Sequence, residues 1–137
     1  MVERETLRVL VYSDDRDVRA SVVAALGPRP HPDLGRIEYL EAATEPRVFQ
    51  LLDDLRHTRI DLVILDGEAT PVGGLGIARQ IKDEIFNAPP VLVLTGRPQD
   101  AWLATWSRAE AAVPHPIDPL VLGQTVIDLL RGAPVAG

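Results

Sequence analysis

The sequence contains no cysteine, which excludes both a disulfide framework and a metal site built from thiolates. It has no apolar segment of membrane-spanning length, and its charged first six residues lack the apolar core of a signal peptide. The net charge of -6 leaves no excess of basic residues for a nucleic-acid surface. We therefore expect a cytoplasmic protein that neither inserts into a membrane nor binds nucleic acid.

The composition is that of an ordinary soluble domain, with 46% hydrophobic and 25% charged residues among 137. This length suits one domain that buries most of its apolar surface. No internal repeat or low-complexity linker divides the chain. We expect a single domain over residues 1–137, with a core at about 7–131 and short tails at both ends.

Short apolar runs that predict strands alternate five times with segments in which apolar residues have helical spacing. The predicted strands cover residues 7–12, 37–41, 60–66, 91–95 and 111–113. The third predicted helix covers residues 73–86, and the second runs from a Thr44 cap through Leu55. The fourth starts at 98–100, and the last begins at Asp118 and Pro119. This order predicts an α/β fold with a single doubly wound five-stranded parallel sheet and five helices.

The stretch from residue 60 to residue 66 is the one around which the chain is organised. It is almost entirely apolar and ends abruptly at Asp66, which Gly67 follows. An apolar run without alternation is typical of a strand buried on both faces of a parallel sheet. Ligands of open α/β sheets bind beyond the carboxyl ends of the strands. Asp66 is therefore a candidate nucleophile, metal ligand or helix cap.

Polar side chains follow four of the predicted strands, so they converge on one edge of the sheet. Asp14 follows the first strand, Asp66 and Thr95 end the third and fourth, and His115 follows the fifth. Two carboxylates and a backbone carbonyl near Glu68 could hold Mg²⁺, which prefers oxygen ligands. A metal there would let Asp66 attack a phosphoryl group, and Thr95 could hydrogen-bond the phosphoryl oxygen.

This ordered set of residues resembles the receiver domain of bacterial response regulators over nearly the whole chain. The matches are Asp14 after the first strand, Asp66, Thr95, and His115-Pro116 where the family has Lys-Pro. The resemblance implies a flavodoxin-like sheet with strand order 2-1-3-4-5. It also implies that Asp66 is the phosphoacceptor, with Thr95 and His115 assisting. Asp14, Asp66 and the backbone carbonyl of Glu68 would hold Mg²⁺.

Several positions depart from the family pattern, among them Ala69-Thr70, where the family has Met-Pro after the acceptor. Ser13 replaces the first acid of the metal-binding pair, so we expect weak Mg²⁺ binding. His115 replaces a permanently charged lysine, whereas an ordinary histidine is mostly neutral at pH 7. Ala112 replaces the aromatic residue that many receivers use as a rotamer switch. Because the family's Lys-Pro bond is usually cis, we predict a cis bond before Pro116, with the His115 ring directed toward Asp66.

The resemblance implies a stand-alone receiver in phosphorelay signalling, a signalling protein rather than a conventional enzyme. A histidine kinase or phosphotransfer protein would supply the phosphoryl group, and output would pass through contact with another protein. The alternative is a pseudo-receiver subunit docked constitutively on a larger assembly. Residues 12–14, 66–71 and 95–100 are similar to an actinobacterial group associated with respiratory complex I, which would place the chain peripherally at a membrane. A small flavodoxin-like enzyme is a weaker alternative, because no cofactor loop is present.

Trp102 and Trp106 lie four residues apart in the fourth predicted helix, so they share one face. Large aromatic side chains are common both in cores and as anchors of protein interfaces. Core packing and a partner-facing surface are both open interpretations of this pair.

Overall fold

In the computed structural model, which describes residues 6–53, 59–97 and 100–132, strands and helices alternate along the chain as predicted. The strands are β1 (Leu7–Tyr12), β2 (Ile37–Ala42), β3 (Leu62–Asp66), β4 (Val91–Thr95) and β5 (Ala111–Pro114). The helices are α1 (Arg16–Leu26), α2 (Glu45–Asp53), α3 (Gly74–Glu84), α4 (Ala101–Ser107) and α5 (Pro119–Leu130). Leu55, residues 98–99 and the outermost parts of the two predicted tails lie outside the described residues.

The five strands form one parallel sheet in the order β2-β1-β3-β4-β5, which confirms the predicted fold class. Side chains of β3 alternate between the two faces: Val63 and Leu65 join one apolar cluster, while Leu62 and Ile64 join the other. The first cluster includes residues of α2, α3 and α4, and the second includes residues of α1 and α5. The central strand is therefore covered on both sides, as its uninterrupted apolar sequence predicted.

Side-chain caps fix where two of the helices begin. The Asp15 carboxylate accepts a hydrogen bond from the backbone N–H of Asp17 at 2.8 Å, and Asp118 accepts one from Leu120 at 2.9 Å. Pro119 follows Asp118 in the first turn of α5, as predicted. Both caps lie shortly after a strand, β1 and β5 respectively, at the carboxyl edge of the sheet. No helix among the described residues is both long and apolar enough to cross a membrane.

The predicted third helix, residues 73–86, starts one residue too early and ends two residues too late, since α3 is Gly74–Glu84. The backbone of Ile85 has an extended conformation (φ -106°, ψ 117°), and Asn87 has a positive φ of 53°. Phe86 therefore lies beyond the helix with 92% of its surface exposed. Apolar residues continue to Phe86, but the helix ends at Glu84, because the backbone of Ile85 is extended rather than helical.

Gly74, the first residue of α3, lies directly against the end of β3. A Cβ atom at this position would come within 2.7 Å of the Asp66 backbone oxygen and 2.8 Å of the Leu65 Cβ. The absence of a side chain at Gly74 thus allows α3 to pack against the backbone that carries Asp66.

We expect Gly74→Ala to lower the free energy of unfolding by about 1–3 kcal/mol, because the added methyl group must displace backbone. The matched control is Gly76→Ala in the same helix, where a Cβ meets nothing within 4 Å. The control should raise stability by about 0.5–1 kcal/mol, since alanine favours the helix. Urea denaturation of both variants measures this, and equal effects would contradict the close approach at Gly74.

Candidate functional site

The carboxylate of Asp66 is the centre of the site and is almost completely buried, with 3% of the residue exposed. Its Oδ2 accepts a hydrogen bond from the Ser13 hydroxyl at 2.8 Å. Its Oδ1 accepts one from the backbone N–H of Glu68 at 2.9 Å and lies 3.1 Å from Nε2 of His115. Both oxygens therefore have partners, and these partners come from the ends of β1, β3 and β5.

Ser13 is fully buried beside Asp66, at the position where the resemblance expected an acid. Its Oγ accepts a hydrogen bond from the backbone N–H of Asp15 at 3.0 Å, which leaves the hydroxyl proton for Asp66. Its backbone oxygen accepts a hydrogen bond from Nη1 of Arg19 at 2.6 Å. Ser13 is thus held from two sides as a donor to the central carboxylate.

Asp14 contacts the loop of residues 67–73 between β3 and α3, which we call the β3–α3 loop. Its Oδ1 accepts a hydrogen bond from the Thr70 N–H, and its Oδ2 accepts one from the Thr70 hydroxyl, both at 3.1 Å. The same loop is held at Val72, whose backbone oxygen accepts a hydrogen bond from the Tyr12 hydroxyl at 2.6 Å. Sequence reasoning missed Thr70 and Tyr12, because nothing in the local sequence marks these long-range contacts.

The environment of Tyr12 keeps its hydroxyl protonated. Burial raises the pKa of the Tyr12 phenol above its ordinary value, and the negative charges of Asp14, Glu45 and Asp66 raise it further. The phenol therefore remains a hydrogen-bond donor to the β3–α3 loop throughout the neutral pH range.

Thr95 and His115 lie at the ends of neighbouring strands. Asp66 on β3 pairs with Leu94 on β4, so Thr95 is the next residue along that edge, and it is 2% exposed. Its backbone oxygen accepts a hydrogen bond from the His115 N–H at 2.8 Å. The bond between His115 and Pro116 is cis, and the ring lies against Asp66. Both predictions about His115 are thus confirmed.

The side chain of Glu68 lies over Gly96, just beyond Thr95. A Cβ atom at Gly96 would overlap with the Glu68 carboxylate, so the glycine provides the space that this side chain occupies. Sequence reasoning missed Gly96, although a glycine directly after Thr95 was a visible signal of close approach.

These residues surround an open cleft of about 320 Å³. Its lining consists of Asp14, Asp15, Val18, Asp66, Glu68 and His115. Among the described residues no three acidic or histidine side chains are arranged as a complete metal site. Mg²⁺ does not require one, because it binds through one or two carboxylates and keeps several water ligands. The oxygen donors of this acidic cleft therefore fit Mg²⁺.

Both tryptophan side chains of α4 lie on the surface rather than in the core. Trp102 is 66% exposed and Trp106 is 49% exposed. The guanidinium of Arg79 lies 5.3 Å from the centre of the Trp106 ring and donates a hydrogen bond to its backbone oxygen at 2.8 Å. This exposure contradicts core packing for both side chains. That this surface faces a partner stays a prediction.

Two proteins with closely similar sequences are response regulatory proteins from two strains of Mycobacterium tuberculosis. Each is 62% identical to this chain over 125 residues, which cover 91% of this chain and 92% of the relative. No protein-family model matches the chain.

Solved receiver structures share the fold at low sequence identity. A response regulator receiver domain protein from Clostridium thermocellum is 22% identical with a TM-score of 0.73, and the match covers 92% of this chain and 95% of that one. The response regulator DrrB of Thermotoga maritima is 22% identical with a TM-score of 0.69 over 95% of this chain. This chain spans about half of DrrB, 55% of its length.

We expect Ser13→Asp to tighten Mg²⁺ binding at least about tenfold, because a charge near 4 Å contributes up to about 4 kcal/mol at a protein surface. The matched control is Ser21→Asp, which adds the same charge on the exposed side of α1, away from the cleft. Isothermal titration with Mg²⁺ measures both. Equal affinities of Ser13→Asp and the native protein would show that Asp15 already supplies the second carboxylate.

Proposed function

Because the chain belongs to the response-regulator family and has the receiver fold, we propose that Asp66 accepts a phosphoryl group from a histidine kinase or phosphotransfer protein. The family assignment makes two-component signalling its class of function, and the specific proposal concerns the residues that act. The observation that supports this proposal most directly is the position of Asp66. Its side chain is almost fully buried at the carboxyl end of β3, where it lines an acidic cleft beside His115.

The proposed reaction is a displacement at phosphorus. A carboxylate oxygen of Asp66 attacks, an O–P bond forms, the P–N bond of the donor phosphohistidine breaks, and the departing imidazole takes up a proton. The hydroxyl of Ser13 and the N–H of Glu68 hold the carboxylate in one orientation before the reaction. When bound, Mg²⁺ held by Asp14, Asp66 and the Glu68 carbonyl would neutralise charge on the transferring oxygens.

Thr95 and His115 would bind the phosphoryl group after transfer. The Thr95 hydroxyl is the side-chain donor at the end of β4, and Nε2 of His115 would contact a phosphoryl oxygen instead of Oδ1. The modified chain would then signal through contact with another protein. The exposed Trp102 on α4 is a candidate anchor for that contact.

A constitutively docked pseudo-receiver subunit is the second candidate. It is favoured by the fact that Asp14 and Asp66 already have hydrogen-bond donors on all four carboxylate oxygens. The exposed tryptophans suit this role equally well. Neither the two mycobacterial relatives nor the solved receiver structures support an association with respiratory complex I or a peripheral membrane location. A flavodoxin-like enzyme is not supported by the acidic cleft lining.

We expect incubation with a small phosphodonor and Mg²⁺ to add one phosphoryl group to the chain, as measured by intact mass. Asp66→Asn should abolish the gain, because the amide oxygen is a poor nucleophile. The control is Asp15→Asn, which removes a carboxylate from the same cleft but keeps a good helix cap. An Asp66→Asn protein that still gains phosphate would contradict the assignment, and a native protein that gains none would favour the docked subunit.

We expect His115→Lys to accelerate this modification severalfold, because lysine carries a full positive charge near neutral pH that would attract the negatively charged phosphoryl group. The matched variant is His115→Gln, which keeps an N–H donor for Asp66 without any charge. Initial rates at fixed Mg²⁺ give the comparison. A lysine variant no faster than the glutamine variant would show that the charge of this side chain does not assist transfer.

A further inference from the structure

We propose that Thr70 competes with a divalent cation for the carboxylate of Asp14, so that cation binding releases the β3–α3 loop from the end of β1. The inference rests on the proposed function only for the cation site that includes Asp14. It concerns a contact that this chain makes itself, between two residues 56 positions apart in the sequence.

The two hydrogen bonds from Thr70 use both oxygens of Asp14. Both side chains are exposed to solvent, so each bond contributes little net free energy and can be exchanged for another partner. A cation bound directly to Asp14 would take one of these oxygens and repel the partial positive charge of the hydroxyl proton. The carboxylate of Asp14 therefore cannot bind the Thr70 hydroxyl and the cation equally well at the same time.

Two other acids of the cleft, Asp15 and Glu68, make different contacts. Asp15 caps α1 through the backbone N–H of Asp17, and the Glu68 side chain lies over Gly96. Both acids contact residues close to their own strand end or in the neighbouring loop. Of the cleft acids, Asp14 is the one whose side chain links β1 to the β3–α3 loop.

The remaining contacts of the β3–α3 loop would confine its movement. The Tyr12 hydroxyl holds the oxygen of Val72 at 2.6 Å, and the N–H of Ala69 donates to the backbone oxygen of Asp66 at 3.2 Å. Loss of the Asp14 contact would therefore free Thr70 and Pro71 while Ala69 and Val72 stay attached. Cation binding in the cleft would be transmitted to this exposed part of the surface.

The first test is a Mg²⁺ titration of native protein, Thr70→Val and Thr70→Ser by isothermal titration calorimetry. Valine has the shape of threonine but lacks the hydroxyl, so we expect Thr70→Val to bind Mg²⁺ roughly two- to tenfold more tightly. Thr70→Ser keeps the hydroxyl and should bind like the native protein. Equal affinity of the valine and native proteins would overturn the inference, and so would the absence of Mg²⁺ binding by all three.

The second test measures amide hydrogen exchange by NMR in the native protein, which needs no variant. Saturating Mg²⁺ should accelerate exchange at the Thr70 amide, whereas the Ala69 amide should be unaffected. An unchanged rate at Thr70 would overturn the inference. Neither test uses a phosphate donor, so a failure of Asp66 to accept phosphate and a failure of this competition are distinguishable.

Discussion

The need to stabilise one buried carboxylate determines the arrangement of the whole site. An ionised group as buried as Asp66 is tolerated only with hydrogen-bond partners, and they come from the ends of three strands. The parallel sheet brings these strand ends to one edge, and Gly74 lets α3 pack close behind Asp66. The order of the strands, the start of α3 at Gly74 and the geometry of the site thus all contribute to the surroundings of the Asp66 carboxylate.

The chain differs from the family pattern mainly in what surrounds this carboxylate. A serine hydroxyl stands where the resemblance expected an acid, and a histidine ring where it expected lysine. Asp14 is bound to Thr70. Together these contacts and the Glu68 N–H give each carboxylate oxygen of Asp14 and Asp66 a hydrogen-bond donor within the chain. This explains why acceptor chemistry and constitutive docking are both compatible with the same geometry.

Most of the fold could be predicted from the sequence, because apolar periodicity marks each element and Asp118-Pro119 marks a helix start. The convergence of Asp14, Asp66, Thr95 and His115 followed from the common edge of parallel strands. The contacts of Thr70 and Tyr12 could not be predicted, since they join residues far apart in the chain without any local pattern.

Helical spacing placed Trp102 and Trp106 on one face, but it could not show whether that face is buried. The end of α3 was missed for a similar reason, because the extended backbone of Ile85 ends the helix although the apolar pattern continues.

A crystal structure of the protein with Mg²⁺ and beryllofluoride, an analogue of the phosphoryl group, tests the central claim most directly. The account predicts the analogue bonded to Asp66, with His115 and Thr95 contacting its fluorine atoms. Asp14 should then contact the metal. An unmodified Asp66 that keeps its hydrogen bonds to Ser13 and His115 at saturating concentrations of both reagents would contradict the claim that this carboxylate is a phosphoacceptor.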